Sequence, residues 1–133
     1  MAATGETLPI RTSGDIVVVR QRVRARAVEL HFSLVDQTKI VTAASELARN
    51  TLEHGKGGEV RIETVERPPR RGLRLEFSDR GPGIPDIELA LKEGYTTGHG
   101  LGLGLGGAKR LVNEFEIDSG PGRGTRVVVV RWV

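Results

Sequence analysis

The stretch TAASELARNTLEHG, Thr42–Gly55, places an acid, an amide and an imidazole four residues apart, at Glu46, Asn50 and His54. At about 100° per residue, each lies roughly 40° round a helix from the one before. Ile40, Ala43, Ala44, Leu47 and Thr51 fill the neighbouring arc, so Glu46 and Asn50 border the apolar face and look along the seam beneath it. An acid and an amide at this spacing can jointly serve a divalent cation and a hydroxyl. The carboxylate takes a proton while the amide oxygen ligates a hard metal. An ordinary boundary helix, with Glu46 solvated and Asn50 bonded locally, fits the same letters and is the default for this helix alone. A histidine at a helix end beside Gly55 needs no catalytic role.

Working outward, FSLVDQTKIVTAASELARNTLEHG reads as one long helix, with Gly55 as its C-terminal cap. Before it, ETLPIRTS is expected to be a short edge strand, where Pro9 is tolerated. Asp15 is the expected N-cap of a helix running to about Phe32, with Ile16, Val19, Val23, Ala27 and Leu30 on one face. The alternating Arg20, Arg22, Arg24 and Arg26 would also suit a strand, but the helical period persists longer. After the central helix, GEVRIETVER and GLRLEFSD alternate as strands around an RPPRRG turn. A turn-rich segment follows from Arg80 to about Gly100. LGLGGAKRLVNEF then reads as a helix, with Leu103, Ala108, Leu111, Val112 and Phe115 as core candidates. EIDS and TRVVVVRW close the chain as a hairpin, and the valine run predicts a strand buried on both faces. Strands come in runs here, which favours a two-layer α/β sandwich over a doubly wound parallel sheet.

The totals narrow the field. One domain, 1–133, is expected from 133 residues; 38% hydrophobic and 28% charged residues describe a folded chain. No apolar run approaches the length of a membrane span and no signal-like segment opens the sequence, so a cytoplasmic protein with no membrane partner is expected. With no cysteine, disulfides and thiolate chemistry are excluded. The net charge of +3 comes mostly from arginine with 17 acids interspersed and few aromatics. A nucleic-acid partner is therefore not expected, and a solvated surface or an acidic protein partner suits the charge better. Twelve of the eighteen glycines follow Ser78.

Those glycines form three clusters. FSDRGPGIP ends a strand at Asp79 and follows it with Gly81 and Gly83; the carboxylate could accept from the amino group of a base, with Ile84 against the ring. A plain Asp–Gly–Pro–Gly loop would look the same. TTGHGLGLGLGGAKRL puts glycines before a helix, a natural phosphate cradle or a simple hinge. Gly102, Gly104 and Gly107 match a dinucleotide-binding spacing, but no strand immediately precedes them. The Lys-Ser/Thr that ends a Walker loop is also missing. SGPGRGTRV is by itself a hairpin turn.

Taken in order, Glu-x3-Asn-x3-His, Asp-x-Gly-x-Gly, the Gly-Leu-Gly-Leu helix entry and Gly-x-Gly-Thr resemble the GHKL ATP-binding superfamily from about Val41 onward. SELARN, GYTTGHGLGLGLGGAKRLVNEFEI and GRGT are similar to its anti-sigma regulatory serine kinase branch, the stressosome switch kinases in particular. His99 and Gly106 depart from the glycine pattern. The resemblance implies an α/β fold of the Bergerat type, a two-layer sandwich of a mixed, largely antiparallel sheet with helices on one face. It implies an ATP- and Mg²⁺-dependent kinase acting on Ser or Thr of STAS-domain antagonist or scaffold proteins in a partner-switching pathway, with a PP2C-type phosphatase as a further partner. A nucleotide-responsive anti-sigma or scaffold module with negligible phosphotransfer is the alternative. By resemblance Glu46 is the general base and Asn50 the Mg²⁺ ligand. Asp79, Gly81, Gly83, Ile84 and Thr125 serve the adenine, while Gly98, Gly100, Leu101, Gly102, Leu103 and Gly104 lie along the phosphates. Pro85 to Gly98 would be a lid, with Tyr95 packing in it; Arg49 is a candidate phosphate or partner contact.

Overall fold

The computed structural model describes residues 5–92 and 104–133. Thr12 and Asp15 start the first helix together. The Thr12 hydroxyl accepts from Asp15 N–H at 3.2 Å, and the Asp15 carboxylate accepts from Thr12 N–H at 3.1 Å. This capping box makes Thr12 the N-cap of α1 (Ser13–Glu29), correcting the assignment of that role to Asp15, which sits three residues in. The helical period beats the alternating arginines because Ile16, Val19, Val23 and Ala27 reach the core together. Ser33 caps α2 (Leu34–Glu53) by accepting from Asp36 N–H. At the far end the C-cap is His54, and the left-handed residues beyond it are Lys56 and Gly57. Gly55 is therefore not the cap; its lack of a side chain serves another purpose.

Strand β1 (Gly5–Ile10) lies at the sheet edge, as ETLPIRTS predicts, and pairs with β2 (Gly58–Arg67). Strand β3 (Arg70–Asp79) follows after only Pro68 and Pro69, so the strands reach further into the predicted turn than expected. A short α3 (Ile87–Ala90) and α4 (Gly104–Arg110) come before the closing hairpin of β4 (Glu114–Gly120) and β5 (Gly124–Trp132). The order across the sheet is β1-β2-β3-β5-β4, and every pairing among the described residues is antiparallel. The expected mixed character is absent from these pairings.

Two sequence expectations change. The last helix stops at Arg110, not Phe115, because Phe115 and Ile117 alternate with Glu114, Glu116 and Asp118 and so carry strand periodicity. Asn113 N–H already donates to Val130 O at 2.9 Å, and pairing takes over from helix there. Ala108 is buried as expected, whereas Leu111, Val112 and Phe115 pack only partly buried against the core, and Leu103 lies outside the described residues. Leu105 is the buried leucine of α4.

Helices cover one sheet face. Val60, Ile62, Leu73, Leu75, Phe77, Val127 and Val129 point into that layer with Val19, Val23, Ile40, Ala44 and Leu47. The opposite face of β5 is also buried at Val128 and Val130, as the valine run predicts, but among the described residues no second layer of helices covers it. Their cross-strand neighbours are Glu76 and Glu116 for Val128, and Arg74 and Glu114 for Val130. The stems of these charged residues shield the valines while their heads pair in a lattice. In it Arg74 reaches both Glu63 and Glu76, and Arg126 reaches Glu76 at 2.9 Å.

Candidate functional site

Helix α2 is set against the sheet by Ala43, Ala44, Leu47 and Ala48, all buried. That packing carries Glu46 inside with them, only 7% exposed. A carboxylate so placed needs donors. Gly104 N–H, at the start of α4, donates to Glu46 Oε1 at 3.3 Å; Oε2 is buried with no hydrogen-bond partner among the described residues. Asn50, one turn along, is half-buried. Glu46 and Asn50 thus border the apolar face as the wheel predicts, and Glu46 is not solvated. Helix α4 is held in turn by Gly106, where a Cβ would lie 2.2 Å from Leu91 O. Gly106, the departure in the glycine cluster, lets the chain leaving α3 press against α4.

The other end of α2 meets Asp79. A Cβ on Gly55 would fall 2.3 Å from Asp79 Cγ and Oδ2, so the carboxylate rests on bare backbone. Asp79 Oδ1 accepts from Gly81 N–H at 2.9 Å, and Gly81 itself sits against Gly55, where a Cβ would be 2.8 Å from its Cα. With Oδ1 occupied, Oδ2 is the oxygen left for a ligand. Gly83 has φ 81, and a Cβ there would strike Gly120 O at 2.0 Å; only glycine lets this loop touch the hairpin turn.

Thr125 is the register partner of Asp79 across β3 and β5, and buried. Its hydroxyl lies 2.7 Å from Ser119 Oγ, which also accepts from Ile84 N–H at 2.8 Å. Ser119 ties β4, β5 and the Gly81–Ile84 loop together, and the sequence pattern did not single it out; Gly55 was expected only as a helix cap and Gly124 only as part of the Gly-x-Gly-Thr turn. A Cβ on Gly124 would lie 2.2 Å from Asp79 O. The only signal for Ser119 was its place before a glycine turn. A hollow of about 110 Å³ is lined by Asp79, Ser119 and Thr125, with Ser78, Asp118 and Arg123 among its other walls. Ser78, Asp118 and Arg126, three of its lining residues, are register partners on the uncovered face, so the hollow wraps the end of the sheet.

The structure therefore brings Glu46, Asn50 and Gly104 together at one region of α2, and Asp79, Gly81, Gly83, Ile84 and Thr125 beyond its C-terminus. From Glu46 to Gly55 the helix rise amounts to about 14 Å. Gly98, Gly100, Leu101, Gly102 and Leu103 lie outside the described residues, as do Tyr95, His99 and the stretch 93–98 of the expected lid. Arg49 pairs loosely with Glu53 at 3.9 Å. No cluster of three or more His, Asp or Glu that could hold a metal occurs among the described residues. Nor is any described helix long and apolar enough to cross a membrane.

The sequence matches the family model described as histidine kinase-, DNA gyrase B-, and HSP90-like ATPase over residues 35–132. It is 45% identical over 124 residues to the serine/threonine-protein kinase RsbT of Bacillus subtilis (strain 168), covering 93% of each chain. Identity is 30% over 118 residues to an anti-sigma F factor of Thermoanaerobacter sp. (strain X514), covering 86% of this chain and 82% of that one. The fold resembles a solved structure of RsbU and RsbW domains from Mycobacterium tuberculosis, with a TM-score of 0.65 and 25% identity. That match covers 98% of this chain and spans 32% of the solved one.

Proposed function

The chain belongs to the family of histidine kinase-, DNA gyrase B- and HSP90-like ATPases, and from that membership and its 45% identity to a serine/threonine-protein kinase we propose an ATP-dependent serine/threonine protein kinase. Its substrates on this reading are STAS-domain proteins of a stressosome-type, partner-switching pathway in the cytoplasm, with a PP2C-type phosphatase as a further partner. The observation that carries the proposal is the division of labour along α2. A buried carboxylate with one oxygen unpartnered among the described residues stands at Glu46, and a carboxylate braced on bare glycine stands past the helix end at Asp79.

The residues present fit ATP and Mg²⁺. Asp79 Oδ2 offers an acceptor to the adenine amino group, and Thr125 and Ile84 flank it. Gly83 keeps the loop close behind. Asn50 would hold Mg²⁺ through its amide oxygen, which agrees with a cation that takes few protein ligands and completes its shell with phosphate and water. When bound, that ion neutralises charge on the triphosphate. Gly104 is the described end of the phosphate cradle proposed for Gly98 to Gly104.

Each protein group then has a task. The Gly104 N–H holds Oε1 and leaves Oε2, which meets no hydrogen-bond partner among the described residues, as the oxygen that can take a proton. Oε2 accepts the proton of the substrate serine hydroxyl as its oxygen attacks the terminal phosphorus in line, and the bond to the leaving diphosphate breaks. Because phosphoryl transfer asks mainly for positioning and charge compensation, one base and a cradle of backbone N–H groups suffice.

Glu46→Gln keeps the size of the side chain and an oxygen for Gly104 N–H, but cannot take the proton. Transfer of label from ATP to a STAS protein should fall by about 10²-fold or more while ATP binding persists. Transfer at the parent rate would remove Glu46 as the base. ATP binding by the parent protein with no transfer to any STAS protein would favour a binding module.

A further inference from the structure

The Ser119 hydroxyl meets three partners. It accepts from Ile84 N–H at 2.8 Å, lies 2.7 Å from Thr125 Oγ1, and lies 3.1 Å from the Gly124 carbonyl oxygen. A serine carries a single hydroxyl proton. The Gly124 carbonyl can only accept and the Ile84 amide can only donate. All three contacts are hydrogen bonds in one arrangement alone: Ser119 donates to Gly124 O, and Thr125 donates to Ser119. Thr125 has then committed its proton, and only lone pairs remain on its oxygen.

Across the strand pair stands Asp79, whose Oδ1 is taken by Gly81 N–H and whose Oδ2 lies over Gly55. Asp79 and Ser119 are the cross-strand partners of Thr125 on either side, so the three stand on one face of the sheet. Two neighbouring groups in the base corner therefore accept and do not donate.

We infer that Ser119 sets base specificity: by holding the Thr125 proton away from the ligand, it makes this corner accept a purine with an exocyclic amine and reject the same purine with a carbonyl there. The inference rests on the reading of this corner as the base site. An amine brings two N–H donors to two acceptors, whereas a carbonyl oxygen would leave lone pairs facing lone pairs and buried groups unpaired. Ser119 acts through Thr125, so it is a positioning residue.

ATP and ITP, which differ at this one position and the adjacent ring nitrogen, are the probes. Their affinities are measured by displacement of a fluorescent ATP analogue from the full chain, for the parent, Ser119→Ala and Ser119→Thr. The parent should prefer ATP by on the order of 10²-fold or more. In Ser119→Ala the Thr125 proton is free to turn toward the ligand, and the ATP/ITP ratio should shrink by about tenfold, one lost hydrogen-bond preference. Ser119→Thr, which restores the hydroxyl, should bring the ratio back.

A purely structural role for Ser119 would weaken both nucleotides alike, and an unchanged ratio in Ser119→Ala overturns the inference. If that variant does not fold, Ser119→Cys, close in size and a weak donor, is read the same way. A parent that binds ATP and ITP equally sinks the specificity claim while leaving the ATP site standing. A parent that binds neither overturns both.

Discussion

At Gly55 the space beside the backbone is already filled by the Asp79 carboxylate, at 2.3 Å from where a Cβ would sit. Gly55→Ala must push Asp79 off its platform. The expected result is a loss of about 1–3 kcal/mol in stability, the usual cost of overpacking. ATP affinity should drop by more than the fraction of unfolded protein explains. Urea denaturation and nucleotide titration on the same preparation check this; a destabilised variant with parent affinity would dissociate Asp79 from base binding. Single residues were unevenly legible. Glu46, Asn50 and Asp79 stood out because acids and amides beside an apolar stripe, or at a strand end, are chemically conspicuous. Gly55 was visible but misassigned, since a glycine after a helix normally caps it, and here Lys56 and Gly57 adopt the left-handed turn. Ser119 carried no such signal, because its importance lies in meeting Ile84, distant in the chain.

Among the elements, α1 depends most on local chemistry. Its capping box satisfies backbone groups reciprocally at Thr12 and Asp15, and Thr12→Ala should cost about 1 kcal/mol. A shift in the urea midpoint without a change in slope would register that loss; no shift would mean the cap is redundant with packing of Ile16 and Val19. The boundary between α4 and β4 shows the limit of reading elements one at a time. Leu111, Val112 and Phe115 continue a plausible helical stripe, yet Asn113 and Glu114 are drawn into pairing with Val130 of β5. Helix propensity is weak against a strand partner that supplies hydrogen bonds and burial together.

Across the whole molecule, the uncovered sheet face is held by ion pairs rather than by a second layer. The hydrogen bond from Arg126, with Arg74 beside it, holds the Glu76 carboxyl below its ordinary 4.5 against the opposing effect of burial. Arg131 does the same for Asp36, ordinarily 3.8, where β5 meets the start of α2. Both carboxyls are depressed in the folded state. Their contribution to stability is therefore complete above those ordinary values and is lost as pH falls through the lower, folded ones. The single tryptophan, Trp132, reports on this region: Arg67 and Arg70 lie over its ring at 4.9 and 4.6 Å. Urea unfolding followed by Trp132 fluorescence should show stability falling as pH drops below about 4.5. Glu76→Gln should be less stable at neutral pH and show a shallower acid decline; an unchanged slope would mean the lattice is not what titrates. The sequence by itself determined the two long helices, the strands, the two-layer class and the family, because periodicity, caps and spaced polar residues act within a few neighbours. Only the tertiary structure decided which Glu46 oxygen is held, that Asp79 rests on Gly55, and that Ser119 meets both Thr125 and Ile84. Those facts depend on contacts between segments far apart in the chain, whose distances arise when the sheet register and helix packing close around them.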